Sequence, residues 1–197
     1  MPIKNWDRDG FRNPANPDNE YGWEKLYAER MALAVARNTG LEVRIARFQN
    51  CYGPEGTWDG GREKAPAALC RKIAMLPEEG GEIEVWGEGN AERNFIYVDD
   101  LCDGIYTLTQ NDTFKEPVNI GTTEIVTVNE LVDMIAEVSG KKVTRKHIPG
   151  PVGVLGRYQK VDRIESLGWY PRWMMIEGMD ATYHWIKKQI KFKESLQ

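Results

Sequence analysis

Tyr21 and Lys25 stand four residues apart in Tyr-Gly-Trp-Glu-Lys, a spacing that puts a phenol and an ammonium on one face of a helix. A phenol ordinarily titrates at about 10, and a neighbouring positive charge favours its ionised form, so such a pair can act as a base near neutral pH. The same lysine could hold a ribose hydroxyl. Spacing alone carries little weight: among eight tyrosines in 197 residues a chance match is ordinary, and Tyr183 with Lys187 supplies one. Other residues that could do chemistry have plain alternatives. By composition Lys64, in Arg62-Glu63-Lys64, reads as a solvated lysine, Arg157 as a surface residue and Asn50 as a turn former. Arg93 is open between contact with a ligand and pairing with Glu92 or another carboxylate.

The elements that must position these residues can be read from periodicity. Residues 1–20, rich in Pro, Asn, Asp and Gly, predict a loop or extended arm. From Tyr21, the apolar positions Leu26, Met31, Ala32, Val35 and Ala36 recur with helical spacing, and Asn38-Thr39-Gly40 supplies a stop. Residues 41–48 alternate as a strand does, and residues 50–61 read as a turn-rich loop. Next come a helix over 65–75, strands over 82–86 and 93–98, and a helix capped by Asp99 or Asp100 and running to Thr109. Residues 117–120 predict a short buried strand. Thr127-Val-Asn-Glu130 has the spacing of a capping box and opens a helix that ends at Ser139-Gly140. A strand over 143–148, a Gly/Pro loop over 149–156, a short helix over 161–167 and a closing helix over 176–191 complete the chain. This alternation predicts an α/β fold.

Bulk properties exclude several classes. Hydrophobic residues at 41% and charged residues at 28% are those of an ordinary globular chain rather than a disordered one. A formal charge of −4 offers no field for nucleic acid or an anionic membrane, so any anion must be held locally. No apolar run approaches a membrane span. The three cysteines, Cys51, Cys70 and Cys102, are odd in number and lack metal-ligand spacing, which argues against disulfides and against a metal site, and points to a reducing, cytoplasmic setting.

Tyr21 differs from Tyr183 in its downstream context. Tyr-x-x-x-Lys succeeded, one helix and one strand later, by Arg47-Phe-Gln-Asn50-Cys-Tyr52-Gly53-Pro54 resembles the extended short-chain dehydrogenase/reductase family that acts on nucleotide sugars. Within it, Gly56-Thr-Trp-Asp-Gly-Gly-Arg-Glu-Lys-Ala-Pro and the later stretches Arg93-Asn-Phe-Ile-Tyr-Val-Asp-Asp, Glu116-Pro-Val-Asn-Ile-Gly and His147-Ile-Pro-Gly-Pro-Val-Gly-Val-Leu-Gly-Arg157 are most similar to the GDP-mannose 3,5-epimerase branch. The resemblance covers nearly everything from Tyr21 onward. It implies a Rossmann-like (NAD(P)-binding) α/β fold, NAD as cofactor and a GDP-sugar as substrate. It also implies roles: Tyr21 as the base for sugar oxidation, Lys25 as its electrostatic partner and a ligand of the nicotinamide ribose, and Lys64 as one member of an acid/base pair. Asn50, Lys72 and Arg157 would hold the sugar nucleotide, with Arg93 a further candidate. The chemistry implied is oxidation at C4, which acidifies the protons on C3 and C5, then deprotonation, reprotonation and reduction. UDP-sugar 4-epimerases, decarboxylases and 4,6-dehydratases would share Tyr21 and Lys25; a non-catalytic sugar-nucleotide-binding or assembly module is the alternative of another class.

Gly150-Pro-Val-Gly153-Val-Leu-Gly156 imitates a dinucleotide fingerprint, yet Pro149 and Pro151 remove backbone donors that a pyrophosphate loop needs, so it is not expected to be one. In the resembled family the glycine-rich turn lies far ahead of the Tyr-x-x-x-Lys helix. The chain is therefore expected to carry the C-terminal part of such a fold, without its N-terminal βαβ half, an intact NAD site or the cysteine that partners Lys64. In this reading residues 21–60 and 93–125 belong to the Rossmann-like part, and 61–92 and 126–197 to a small α/β substrate domain. The uncovered sheet edges lead to the expectation of a homodimer or a complementing N-terminal chain. In the resembled family the dimer helix would bring Trp23, Tyr27 or Arg30 near a partner.

Overall fold

The computed structural model describes residues 4–6, 17, 19–150 and 156–196. In chain order the elements are β1 (Lys4–Trp6), α1 (Glu20–Thr39), β2 (Ala46–Phe48), β3 (Asn50–Tyr52), α2 (Ala65–Ala74), β4 (Gly80–Trp86), β5 (Glu92–Arg93), β6 (Phe95–Tyr97), α3 (Val98–Thr109), β7 (Val118–Ile120), β8 (Val126–Thr127), α4 (Val128–Ser139), β9 (Lys142–Ile148), β10 (Arg157–Gln159), α5 (Asp162–Glu165) and α6 (Met175–Glu194). Among the described residues four of the five strand pairs are parallel: β1 with β10, β2 with β7, β3 with β6 and β4 with β9; β5 and β8 run antiparallel. Parallel pairing demands long crossovers, and helices supply most of them.

The extended run after α1 changes partners at Gln49. Before it β2 pairs with β7, and after it β3 pairs with β6, in the register Asn50↔Phe95. Buried Gln49 bridges the change by pairing its amide with the backbone of Thr122, donating to the carbonyl at 2.8 Å and accepting from the N–H at 2.9 Å. Gly121 is required there, because a Cβ would run into the Gln49 amide. A strand over 41–48 is thus shortened to 46–48, and Asn50 lies in a strand rather than at the start of a loop. The predicted strand over 93–98 also divides. The Asn94 amide donates to the carbonyls of Thr122 at 3.4 Å and Glu124 at 2.5 Å, diverting the backbone between β5 and β6.

Two further expectations are corrected. Residues 4–6, read as part of a loop or arm, form β1 alongside β10, with Lys4 opposite Arg157. Neither Asp99 nor Asp100 caps α3; Tyr97 occupies the cap position with no side-chain bond. Asp100, 4% exposed, instead accepts the backbone N–H groups of Arg172 at 2.9 Å and Trp173 at 3.1 Å.

One core lies among α2, α4 and α6, where Ile73, Ile135, Met179 and Ile186 are fully buried beside Tyr183. A second joins β6, β7, α3 and α5 through Ile96, Leu108, Val118, Ile120, Ile164 and Trp169. Each such side chain contributes roughly 1.5–3 kcal/mol by leaving water. Tyr183 is therefore a core residue and Lys187 pairs with Glu78 at 3.4 Å, which disposes of the second Tyr-x-x-x-Lys match.

Lys141 is buried at the end of α4, and its ammonium closes α2 by donating to the carbonyls of Ile73 (3.1 Å), Ala74 (3.1 Å) and Leu76 (2.6 Å). A cation on the orphan carbonyls of a helix end satisfies both their hydrogen bonding and the helix dipole. Lys141→Met keeps the stem and removes the donors. Its expected cost is about 2 kcal/mol, since bonds from a charged donor contribute roughly 1.5–3 kcal/mol. The urea midpoint measures it, and a loss under ~0.5 kcal/mol would refute the capping role.

Candidate functional site

Helix α1 opens on Asn19, whose side chain accepts the Gly22 N–H at 3.1 Å, and closes on Gly40. Its first turn and a half presents Tyr21, 68% exposed, and Lys25. The Lys25 ammonium lies 5.1 Å from the centre of the Tyr21 ring and 3.3 Å from Glu24. The predicted pair is therefore assembled on one open face. No residue of α1 is buried, and the helix is tied to the body by a forked pair from Arg47 to Glu29, at 2.6 and 2.5 Å. Such a bidentate pair fixes both rotation and height, which a single contact would not.

Asn50 is exposed on β3, directly after the partner change at Gln49. Arg93 lies on β5, and its guanidinium donates to the Glu92 carbonyl at 2.7 Å. A bridge between Glu92 and Gly156 lays the backbone of Arg157 beside this strand, so two predicted arginines come from neighbouring segments. Of the Arg157 backbone the structure gives strand β10; its side chain lies outside the described residues.

Lys64 occupies the N-cap position of α2 without using its side chain to cap, and stands exposed at the end of a glycine-rich loop. Lys72, two turns further on, donates to the Glu84 carbonyl at 2.8 Å beside a shallow groove of about 270 Å³ that also involves Arg71, Met75, Glu82 and Glu84. A second groove of about 570 Å³, between α4 and α6, holds none of the predicted residues. Its Glu137, Glu177 and Asp180 make it unsuited to a phosphorylated ligand.

Neither Cys51 nor Cys70 offers an acid/base group near neutral pH. Burial pushes Cys70 up to about 12, and burial together with the neighbouring Cys102 raises Cys51.

The sequence profile of the NAD dependent epimerase/dehydratase family matches residues 7–121. The chain belongs to this family. As an epimerase/dehydratase family member it is 46% identical to GDP-mannose 3,5-epimerase of Arabidopsis thaliana, over 90% of the chain and 46% of that relative. It is 44% identical to GDP-mannose 3,5-epimerase 1 of Oryza sativa subsp. indica, over 93% of the chain and 48% of the relative. Among solved structures it matches a UDP-glucose 4-epimerase of Thermotoga maritima, crystallised with UDP-glucose, with a TM-score of 0.79 at 26% identity over 89% of the chain and 55% of that structure. The chain spans about half the length of the curated relatives it matches.

Residues 151–155 lie outside the described residues, but Gly156 leads into strand β10 and not into a helix N-terminus of the kind that binds pyrophosphate. Sequence reasoning missed the side chains that hold these residues in place: Gln49 behind Asn50, Glu29 and Arg47 under α1, and Glu63 with Arg71 behind Lys64. Each is a polar residue whose partner lies beyond the local window. Among the described residues no helix is long and apolar enough to cross a membrane.

Proposed function

We propose that this chain supplies the substrate-facing part of a nucleotide-sugar epimerase acting on GDP-mannose at C3 and C5. The observation that carries the reading is the combination of 46% identity to a GDP-mannose 3,5-epimerase with the Gly-Gly-Arg-Glu-Lys segment that ends on exposed Lys64. In this reading Tyr21 takes the C4 hydroxyl proton, and Lys25, 5.1 Å from the ring centre, is its electrostatic partner and reaches the ribose of NAD. NAD, when bound, accepts hydride from C4 and returns it. The residues present fit that group: the phenol and ammonium share one exposed helix face, and a surface pair such as Lys25–Glu24 yields to a ligand at little cost.

Once C4 is a ketone, the hydrogens on C3 and C5 are acidic, and Lys64 moves a proton at these carbons. Asn50 accepts or donates to the sugar, while Lys72, Arg93 and Arg157 neutralise the diphosphate. Lys72 exchanges a carbonyl partner for a phosphate oxygen. The apolar stripe of α1, including Trp23 and Tyr27 at 53% and 65% exposed, is covered by a second copy or by a chain carrying the N-terminal half.

The test is isotopic. With GDP-mannose in deuterated water and the N-terminal dinucleotide-binding half supplied, deuterium is expected at both C3 and C5. Label at neither carbon from a preparation that reduces NAD would overturn the epimerase reading. GDP-mannose binding by calorimetry with neither NAD binding nor exchange would favour a binding module.

A further inference from the structure

The segment ahead of Lys64 is poorly suited to hold a catalytic lysine by itself. It contains Gly56, Gly60 and Gly61, the last two at φ 94° and 82°, and such a loop loses much conformational freedom on ordering. A guanidinium ties both sides of the glycine pair to the helix. Arg71, seven residues into the helix that Lys64 begins, donates from Nε to the Trp58 carbonyl at 3.1 Å and from Nη2 to Glu63 Oε1 at 2.7 Å. The two acceptors lie on either side of the glycine pair, so a single planar fork closes the loop onto α2.

Glu63 completes the closure. Its side chain is 6% exposed, and its second oxygen accepts the Gly61 N–H at 2.7 Å. Its own backbone N–H, acting against burial and supported by Arg71 and Gly61, holds the carboxyl below the ordinary carboxylate range. Glu63 is accordingly an acceptor that stays ionised rather than the proton-transfer partner of its neighbour. A second tether comes from α6, where Lys193 bonds Asp59 at 2.7 Å and lies 5.8 Å from the centre of the Trp58 ring. Asp59 also sits 3.8 Å from Arg71.

We infer that Arg71 is a positioning residue: its clamp on Trp58 and Glu63 aims Lys64 at the sugar, so that α2 delivers the proton-transfer group in a fixed orientation. The inference rests on the assignment of Lys64 above. A guanidinium is needed because the two acceptors require a rigid fork with separate donors, which a lysine ammonium does not reproduce.

Two readouts test it. Hydrogen exchange on the purified chain needs no turnover: Arg71→Met is expected to speed exchange at Gly60 and Gly61 by at least about tenfold while the amides of β4 and α4 keep wild-type rates. Glu63→Gln, which keeps the shape and loses the charge, is expected to do so more weakly. In the enzyme supplied with its N-terminal half, Arg71→Lys is expected to lower deuterium entry at C3 and C5 by about tenfold, less than the roughly hundredfold that a full ångström of misplacement can cost, with KM and the rate of NAD reduction within about twofold of wild type. Unchanged loop exchange, or acceleration spread evenly over the chain, would overturn the positioning role, as would equal losses in NAD reduction and proton exchange. If the loop loosens as expected but Lys64→Met exchanges protons normally, the clamp stands and the assignment of Lys64 fails.

Discussion

Tyr21→Phe is expected to lower turnover of the enzyme supplied with its N-terminal half by about 10²–10⁴-fold, the range that a positioned acid or base contributes. The substitution removes one oxygen from a side chain that is 68% exposed, so it creates no cavity and leaves the unfolding free energy within about 0.5 kcal/mol of wild type. Substrate affinity is expected to stay within about threefold, because the sugar nucleotide is gripped by other residues; a fall in kcat and kcat/KM together, with KM unchanged, marks an interaction made in the transition state. Tyr183→Phe is the control. It removes a hydroxyl from the same Tyr-x-x-x-Lys spacing, but on a residue 1% exposed in the α2–α4–α6 core. Its kcat is expected to equal wild type, and if the two substitutions reduced turnover equally, the assignment of the base to α1 would be wrong.

The second large effect concerns stability. Asp100→Ala is expected to cost about 2–3 kcal/mol, because it removes the buried carboxylate that accepts the part-buried N–H groups of Arg172 and Trp173, and hydrogen bonds to a charged group contribute roughly 1.5–3 kcal/mol. Those two residues lead into α6, where the Trp173 ring lies 4.4 Å from that of Tyr97 and Met175 enters the core. A domain of this size has a total stability of roughly 5–15 kcal/mol, so the loss is a large fraction of it. Asp100→Asn retains one accepting oxygen and is expected to lose about half as much. Urea unfolding monitored by tryptophan fluorescence reads both, and equal midpoints for Asp100→Ala and wild type would sink the proposed role of the carboxylate in anchoring α6.

These two residues illustrate how differently the fold and the site were legible. The motif around Tyr21 pointed to chemistry because its meaning came from a longer run, Arg47-Phe-Gln-Asn50-Cys-Tyr52-Gly53-Pro54, that carried the family resemblance. The capping box from Thr127 to Glu130 was equally visible, with both reciprocal bonds formed, at 3.1 Å into the Thr127 hydroxyl and 2.7 Å into the Glu130 carboxylate. The Asp100 contact was not, because its carboxylate serves N–H groups 72 and 73 residues downstream. Read locally, an aspartate at a helix start is a cap; the tertiary structure gave it another partner.

The sequence by itself determined the main helices, the alternation of helices with strands, and the family to which Tyr21, Asn50 and Lys64 belong, since these depend on periodicity and contiguous motifs within a few residues of one another. Only the tertiary structure decided that residues 4–6 form a strand beside 157–159, that the run through Gln49 divides between two partners, and that α1 buries nothing while an Arg47–Glu29 fork holds it. It alone set Arg71 across the loop that ends on Lys64. The physical reason is shared. A helix forms its backbone hydrogen bonds with its own neighbours, whereas a strand or a buried polar group is completed by a partner whose distance along the chain leaves no local trace.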